Sequence, residues 1–233
     1  MKTLLDWNLD PGETDNDGRT VLHLAARATD ERFDILIDRM INVNQQDNTG
    51  QTALHILASM FKAPLERVDR LLQKGANVKI CDHEGKTALH VAAGKNNWQL
   101  KRFLEFKGAI NQPDKLGLTP FHYLLKDPYY YYNTGTDTCS VLESLLENGA
   151  DIAAQDNEGR TSLHMAAKYG DRRLDQLLKM DLSKCINIRD GRGQTPLHAL
   201  LTAPESPRLA ENIRRLIENG QTLTHELATT KVF

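Results

Sequence analysis

The sequence has no apolar run approaching the roughly 18–20 residues that span a bilayer, so no transmembrane helix is expected. It has only three cysteines in 233 residues, Cys81, Cys139 and Cys185, far apart and without a C-x-x-C pair. An odd, scattered set gives no disulfide framework and points to thiols in a reducing compartment, the cytoplasm or nucleus. It has little net charge, −2 at pH 7, which argues against a global attraction to nucleic acid or anionic membrane. The opening stretch, Met1 to Trp7, contains Asp6 and no sustained apolar segment, so it does not read as a signal peptide. Catalytic spacings are missing too: no G-x-S-x-G, no phosphate-cradling glycine loop, no H-E-x-x-H and no cysteine beside a plausible base. No enzyme activity, cofactor or small-molecule substrate is therefore expected.

What the sequence does have is a phrase that occurs six times. Its first instance is Asp15-Asn16-Asp17-Gly18-Arg19-Thr20-Val21-Leu22-His23-Leu24-Ala25-Ala26. Related phrases start at Asp47, Asp82, Asp114, Asp156 and Asp190, and their glycines are Gly18, Gly50, Gly85, Gly117, Gly159 and Gly193. Subtracting neighbours gives spacings of 32, 35, 32, 42 and 34 residues.

Each part of the phrase has a physical task. Asp-x-x-Gly is a tight turn, with the Asp side chain bonding local backbone and Gly free to adopt positive φ. The Thr that follows stands where an N-cap belongs, before an apolar helix. His three residues later occupies the capping-box position usually held by Glu or Gln, from which it reaches back to the cap. Alanine pairs then allow close approach to neighbouring helices. A second helix is predicted from the pattern apolar-x-x-apolar-apolar, beginning at Phe33, Val68, Leu100, Leu142, Leu174 and Ile213. Its stops are Gly75-Ala76, Gly108-Ala109, Gly149-Ala150 and Gly220.

A period near 33 with T-x-L-H-x-A at its centre resembles the ankyrin repeat. The resemblance implies an all-α repeat solenoid, a stack of about six helix–turn–helix repeats with β-turn or hairpin tips. One unit cannot bury its own apolar face, whereas stacked units share a core. The expected organisation is a single domain over residues 1–233, with repeats starting near 15, 47, 82, 114, 156 and 190. Residues 1–14 form a cap or partial repeat in which Leu4, Leu5 and Trp7 look like the remnant of a preceding second helix. A natural cap and a piece of a longer protein both fit that remnant. Residues 221–233, where Thr222 to Ala228 echoes the phrase, form a cap or a truncated repeat.

Extra residues fall between the two helices of the second repeat (near Phe61–Pro64), the sixth (near Ala203–Pro207) and the fourth. The fifth gains residues after its second helix instead, near Met180–Lys184. Such insertions are cheap in closure entropy. The fourth-repeat insertion carries four consecutive tyrosines, Tyr129, Tyr130, Tyr131 and Tyr132. Two readings stand for them: rings folded back on their own helices, or a partner-contacting loop, since tyrosine is enriched at interface hot spots.

The row His23, His55, His90, His122, His164 and His198 is the most chemical-looking feature. Metal ligands must converge on an ion at about 2 Å, but one histidine per repeat places neighbours about 10 Å apart. The row is expected to cap helices and hold no metal. Asn44, Asn111 and Asn187, three residues before a repeat's Asp, are expected to bond within the turn region.

In proteins of the resembled family, partners generally meet the turn tips and the exposed side of the first helix. Carried over position by position, that surface contains nine basic and four acidic residues, although the chain as a whole is slightly acidic. The expected partner-binding residues are Arg19, Arg27, Gln51, Lys86, Lys95, Lys115, Leu116, Leu118, Lys126, Arg160, Lys168, Tyr169 and Arg192, with Tyr129–Tyr132 beside them. The expected partner is another protein, through an acidic or mixed acidic–apolar segment, because complementary charge steers encounter. Two classes follow from the resemblance. One is an adaptor or inhibitor, as in ankyrin-like inhibitors of Rel-type transcription factors; the other is a recognition module of a larger enzyme, channel or ubiquitin-ligase subunit. Self-association through repeat ends or the tyrosine loop stays open.

Overall fold

A computed structural model describes residues 10–28, 31–39, 42–60, 64–95, 100–105, 109–126, 138–169, 172–203 and 207–220. The expectations for Leu4, Leu5 and Trp7, for Tyr129–Tyr132 and for the tail from Thr222 fall outside the described residues. The chain folds into two compact units, Met1–Ala109 and Ile110–Phe233. The first holds helices α1 (Val21–Arg27), α2 (Arg32–Ile37), α3 (Ala53–Ser59), α4 (Leu65–Gln73), α5 (Ala88–Gly94) and α6 (Leu100–Glu105). The second holds α7 (Pro120–Lys126), α8 (Thr138–Glu147), α9 (Ser162–Tyr169), α10 (Arg172–Leu177), α11 (Pro196–Leu201) and α12 (Leu209–Glu218). Each unit is thus three helix–turn–helix repeats, and its only β-structure among the described residues is isolated bridges at turn tips, such as Thr14 with Thr20 and Gln155 with Thr161.

The turn before each first helix is built by its Asp. In repeat four, Oδ1 of Asp114 accepts from the N–H of Leu116 at 2.8 Å and of Leu118 at 2.9 Å. The Asp114 N–H donates to the Leu118 carbonyl and the Gly117 N–H to the Asp114 carbonyl, both at 2.9 Å. The same set of bonds recurs at Asp15, Asp47, Asp82, Asp156 and Asp190. Closing this turn requires Gly117 at φ +76°, and a Cβ there would sit 2.6 Å from the Asn157 backbone nitrogen. Glycine is therefore needed twice over, for its backbone and for its lack of a side chain.

First helices pack on one another: α1 on α3 and α3 on α5 in the first unit, α7 on α9 and α9 on α11 in the second. Small residues permit the approach, and Ala26, Ala58, Ala92, Ala166 and Ala167 are all fully buried. Second helices bury the stripe expected from sequence, with Phe33, Val68, Leu100, Leu142 and Leu174 all completely inaccessible. Ile213 departs from it and is half-buried, because α12 turns Asn212 and Leu216 inward instead. Three of the expected stops are seen as glycines at positive φ, Gly75, Gly149 and Gly220.

Two buried arginines join second helices to the first helix of the preceding repeat. Arg67 donates to the carbonyls of Ala25 and Ala28 at the end of α1 and lies over the Phe33 ring. Arg173 donates to the Leu125 carbonyl in α7 at 3.0 Å and lies over the Tyr169 ring. The helix C-terminus, rich in carbonyls without helical partners, stabilises each buried cation. Surface ion pairs run between second helices as well: Arg70 with Asp34 and Asp38, Arg102 with Asp69, and Arg215 with Asp175. Such pairs at or near the surface contribute little, about 0–1 kcal/mol each.

Candidate protein-interaction surface

The histidine row bonds in two directions. In α1 the Thr20 N–H donates to Nδ1 of His23 at 3.0 Å, and the same pairing joins Thr52 to His55, Thr87 to His90, Thr119 to His122, Thr161 to His164 and Thr195 to His198. A backbone N–H only donates, so Nδ1 is an acceptor and the ring proton sits on Nε2. That proton is then given to the next repeat: Nε2 of His23 reaches the Gln51 carbonyl, His55 that of Lys86, and His164 that of Gln194, each at 3.0 Å. His122 reaches the Arg160 carbonyl at 3.3 Å despite the longer connection. Burial pushes the imidazoles of His55, His122 and His164 below their ordinary pKa, partly opposed by the carbonyl each contacts. These side chains are fully engaged in building the scaffold.

The turn tips are also linked. The Asn48 N–H donates to the Asp17 carbonyl at 2.9 Å and the His83 N–H to that of Thr49 at 3.0 Å. In the second unit the Asn157 N–H donates to the Leu116 carbonyl at 3.0 Å. Asn44, Asn111 and Asn187 correct an expectation, since they bond to the following repeat and not within their own turn. Asn44 Nδ2 donates to the Gly75 carbonyl and its Oδ1 accepts from the Asn77 N–H. Asn111 does the same with Gly149 and Asp151, and Asn187 bonds the Gly220 carbonyl. Each supplies the carbonyl of a helix-ending glycine with a donor.

On this frame, the expected partner-binding residues divide into groups. Arg27, Lys115, Leu116, Lys126, Lys168 and Arg192 are exposed, Leu116 at 58% being the most open large apolar side chain among the described residues. Gln51, Lys95 and Tyr169 are half-buried. Arg19, Lys86 and Arg160 are half-buried and held by the acids of their own turns. Arg19 pairs with Asp15 at 2.9 Å and Asp17 at 2.7 Å; Arg160 pairs with Asp156 at 2.7 Å and Glu158 at 3.1 Å; Lys86 pairs with Glu84. The bond from Arg19 in turn holds the Asp15 carboxyl below its usual range. Leu118 is corrected: only 2% exposed, it belongs to the core and offers no surface.

Tyr123 was missed. It sits in the first helix of repeat four, where the other repeats have Leu24, Ile56, Val91, Met165 and Ala199. In repeats one and five the residue after Gly is an arginine whose Nε donates to the Asp Oδ2, from Arg19 to Asp15 and from Arg160 to Asp156. Repeat four has Leu118 there, and the phenol of Tyr123 takes over, donating to Asp114 Oδ2 at 2.8 Å. The ammonium of Lys126 lies over the ring so fixed, 5.3 Å from its centroid.

The family model described as "Ankyrin repeats (3 copies)" matches residues 1–64 and 56–130, and "Ankyrin repeats (many copies)" matches residues 140–180. The chain belongs to the ankyrin-repeat family. Among solved structures, the ankyrin-repeat domain of Bcl-3, described as a unique member of the IkappaB protein family, superposes with a TM-score of 0.69 at 23% identity. That match covers 90% of this chain and 88% of the Bcl-3 chain, and it shows a shared ankyrin fold. Curated relatives include mouse NF-kappa-B inhibitor delta, 34% identical over 35% of this chain and 25% of the relative. Human Inversin is 32% identical over 54% of this chain and 11% of its own length. The ankyrin segment shared here is therefore a quarter or less of each of these relatives.

Proposed function

We propose that this ankyrin-repeat chain is an intracellular, non-catalytic scaffold that holds a partner protein against its turn tips and first-helix ends, as an adaptor or inhibitor. The observation carrying the reading is the division of labour among side chains. The recurring Asp, Gly, Thr and His residues are engaged in internal bonds, whereas Arg27, Lys115, Leu116, Lys126, Lys168 and Arg192 differ between repeats and stand exposed. A surface whose charges free of ion pairs, among the described residues named, are basic favours an acidic or mixed acidic–apolar partner segment. The inhibitor class is supported by the likeness to a relative named as an inhibitor of NF-kappa-B. Tyr129–Tyr132 belong to the proposal on their sequence alone.

Photo-crosslinking tests which face is used. A benzoylphenylalanine is placed at Asn48 or Lys168 on the proposed face, or at Glu143 or Arg214 on second helices, and irradiated in extract of the source cells. A discrete crosslinked protein from the first two positions only is the expected result. Crosslinks arising equally or only from the second-helix positions would overturn the reading.

A second reading is favoured by the small share of each relative that the match covers: a recognition module within a longer protein whose chemistry lies outside this segment. An antibody to the segment distinguishes the two by the size of the endogenous band, a band at 26.3 kDa speaking against the module.

A further inference from the structure

We infer that recognition centres on the fourth repeat and its neighbour, where Tyr123, Lys126 and Lys168, with Leu116, form a preorganised site for an acidic–apolar peptide segment. This rests on the reading of the chain as a protein-binding scaffold and narrows it to one place and one chemistry. Three observations carry it.

The first is where charge is available. Arg19, Lys86 and Arg160 are compensated by acids within their own turns. Lys126, the last residue of α7, and Lys168, the last but one of α9, hold matching repeat positions, are exposed, and form no ion pair with a described residue. The two helices pack directly, so their ends stand about 10 Å apart. Two lysines on neighbouring helix ends, neither compensated by a described residue, suit a segment with two carboxylates several residues apart. An extended chain covers about 3.3 Å per residue, which makes the matching spacing about three residues.

The second is rigidity. The Tyr123 phenol is tied to Asp114, whose other oxygen is fixed by the Leu116 and Leu118 N–H groups. The ring is held from below, and Lys126 rests on its face. An aromatic platform fixed before binding loses little entropy when a partner arrives. Tyr169, the second aromatic at this edge, is likewise held by Arg173.

The third is the apolar component. Buried Leu118 stands where repeats one and five carry the turn arginine, and Leu116 projects from the same turn beside Lys115. Leu116 is also pinned by its backbone, since its carbonyl accepts from Asn157. An exposed leucine in the turn whose Asp114 holds the Tyr123 phenol, with the lysines at the far ends of the helices, gives an acidic–apolar segment both kinds of contact along its length.

The probe is a random twelve-residue peptide library displayed on phage and selected against the whole chain. Expected is enrichment of peptides combining two acids with an apolar residue. Their affinity should fall by at least about tenfold in the K126E/K168E variant, and by less than about threefold in Arg214→Glu, an exposed change on a second helix. Circular dichroism of both variants checks that the fold is retained. Enriched peptides that bind K126E/K168E as tightly as the wild type would overturn the site while leaving the scaffold reading in place. Enriched peptides lacking acids would overturn the chemistry. Absence of any enrichment would contradict the site and, together with absent crosslinks, the scaffold reading as well.

Discussion

The phenol of Tyr123 donates to Oδ2 of Asp114 at 2.8 Å, doing in the fourth repeat what an arginine does in the first and fifth. Asp114 is 7% exposed, so that oxygen depends on its partner. Tyr123→Phe keeps the ring and removes the donor. The expected loss is about 1–3 kcal/mol of stability, the usual cost of leaving a buried acceptor unsatisfied. Urea denaturation measures it, and an unchanged midpoint would show that the bond holds nothing.

Acid should loosen the repeats. His55, His122 and His164 are neutral acceptors at Nδ1 with their pKa held below the ordinary value, chiefly by burial. The unfolded chain takes up protons first, near pH 6.5, the folded chain only lower. Their contribution to stability is therefore complete above about pH 6.5 and is lost as pH falls through the lower folded values. Thermal melts between pH 7.5 and 5 should show a falling midpoint, whereas a flat profile would contradict the bonding assigned to the row. A separate loss follows below about pH 3.8, where carboxyls held low by their hydrogen bonds, such as Asp15 and Asp38, protonate.

How much of this was legible in the sequence follows from the range of each interaction. Thr20 and His23 lie three residues apart, so their capping bond could be read from the chain alone. The bond from His23 to the Gln51 carbonyl spans 28 residues and depends on how repeats stack. The position of Asn44 in the chain points to its own turn for the same reason, whereas its partners Gly75 and Asn77 belong to the following repeat. Leu118 looked like surface because its counterparts are Arg19, Gln51, Lys86, Arg160 and Gln194. Only the compensating tyrosine five residues later explains why a buried leucine is tolerated there.

Ser162 starts α9 where other first helices begin with Val21, Ala53, Ala88, Pro120 or Pro196. Its hydroxyl is buried and has no hydrogen-bond partner among the described residues. Ser162→Ala should be neutral or raise stability by about 1 kcal/mol, since it removes a desolvated polar group without a donor or acceptor to satisfy. A loss of 1 kcal/mol or more in urea denaturation would argue for a bond that the geometry does not contain.

Cys185 is fully buried, and burial pushes its thiol up to about 12. At pH 8 almost no reactive thiolate forms there. Iodoacetamide followed by peptide mass spectrometry should leave Cys185 unmodified in the native chain and modify it in urea. Rapid native labelling would mean that this part of the second unit opens readily.

The most direct test of where partners bind is a charge swap at the two helix ends. A peptide selected on the wild type is remade with lysine in place of its acids, and both peptides are titrated against wild type and K126E/K168E by fluorescence anisotropy. Recognition by Lys126 and Lys168 predicts that each matched pair binds and each mismatched pair is weaker by at least about tenfold. Equal affinity in all four combinations, or loss without recovery when both sides are reversed, would contradict it.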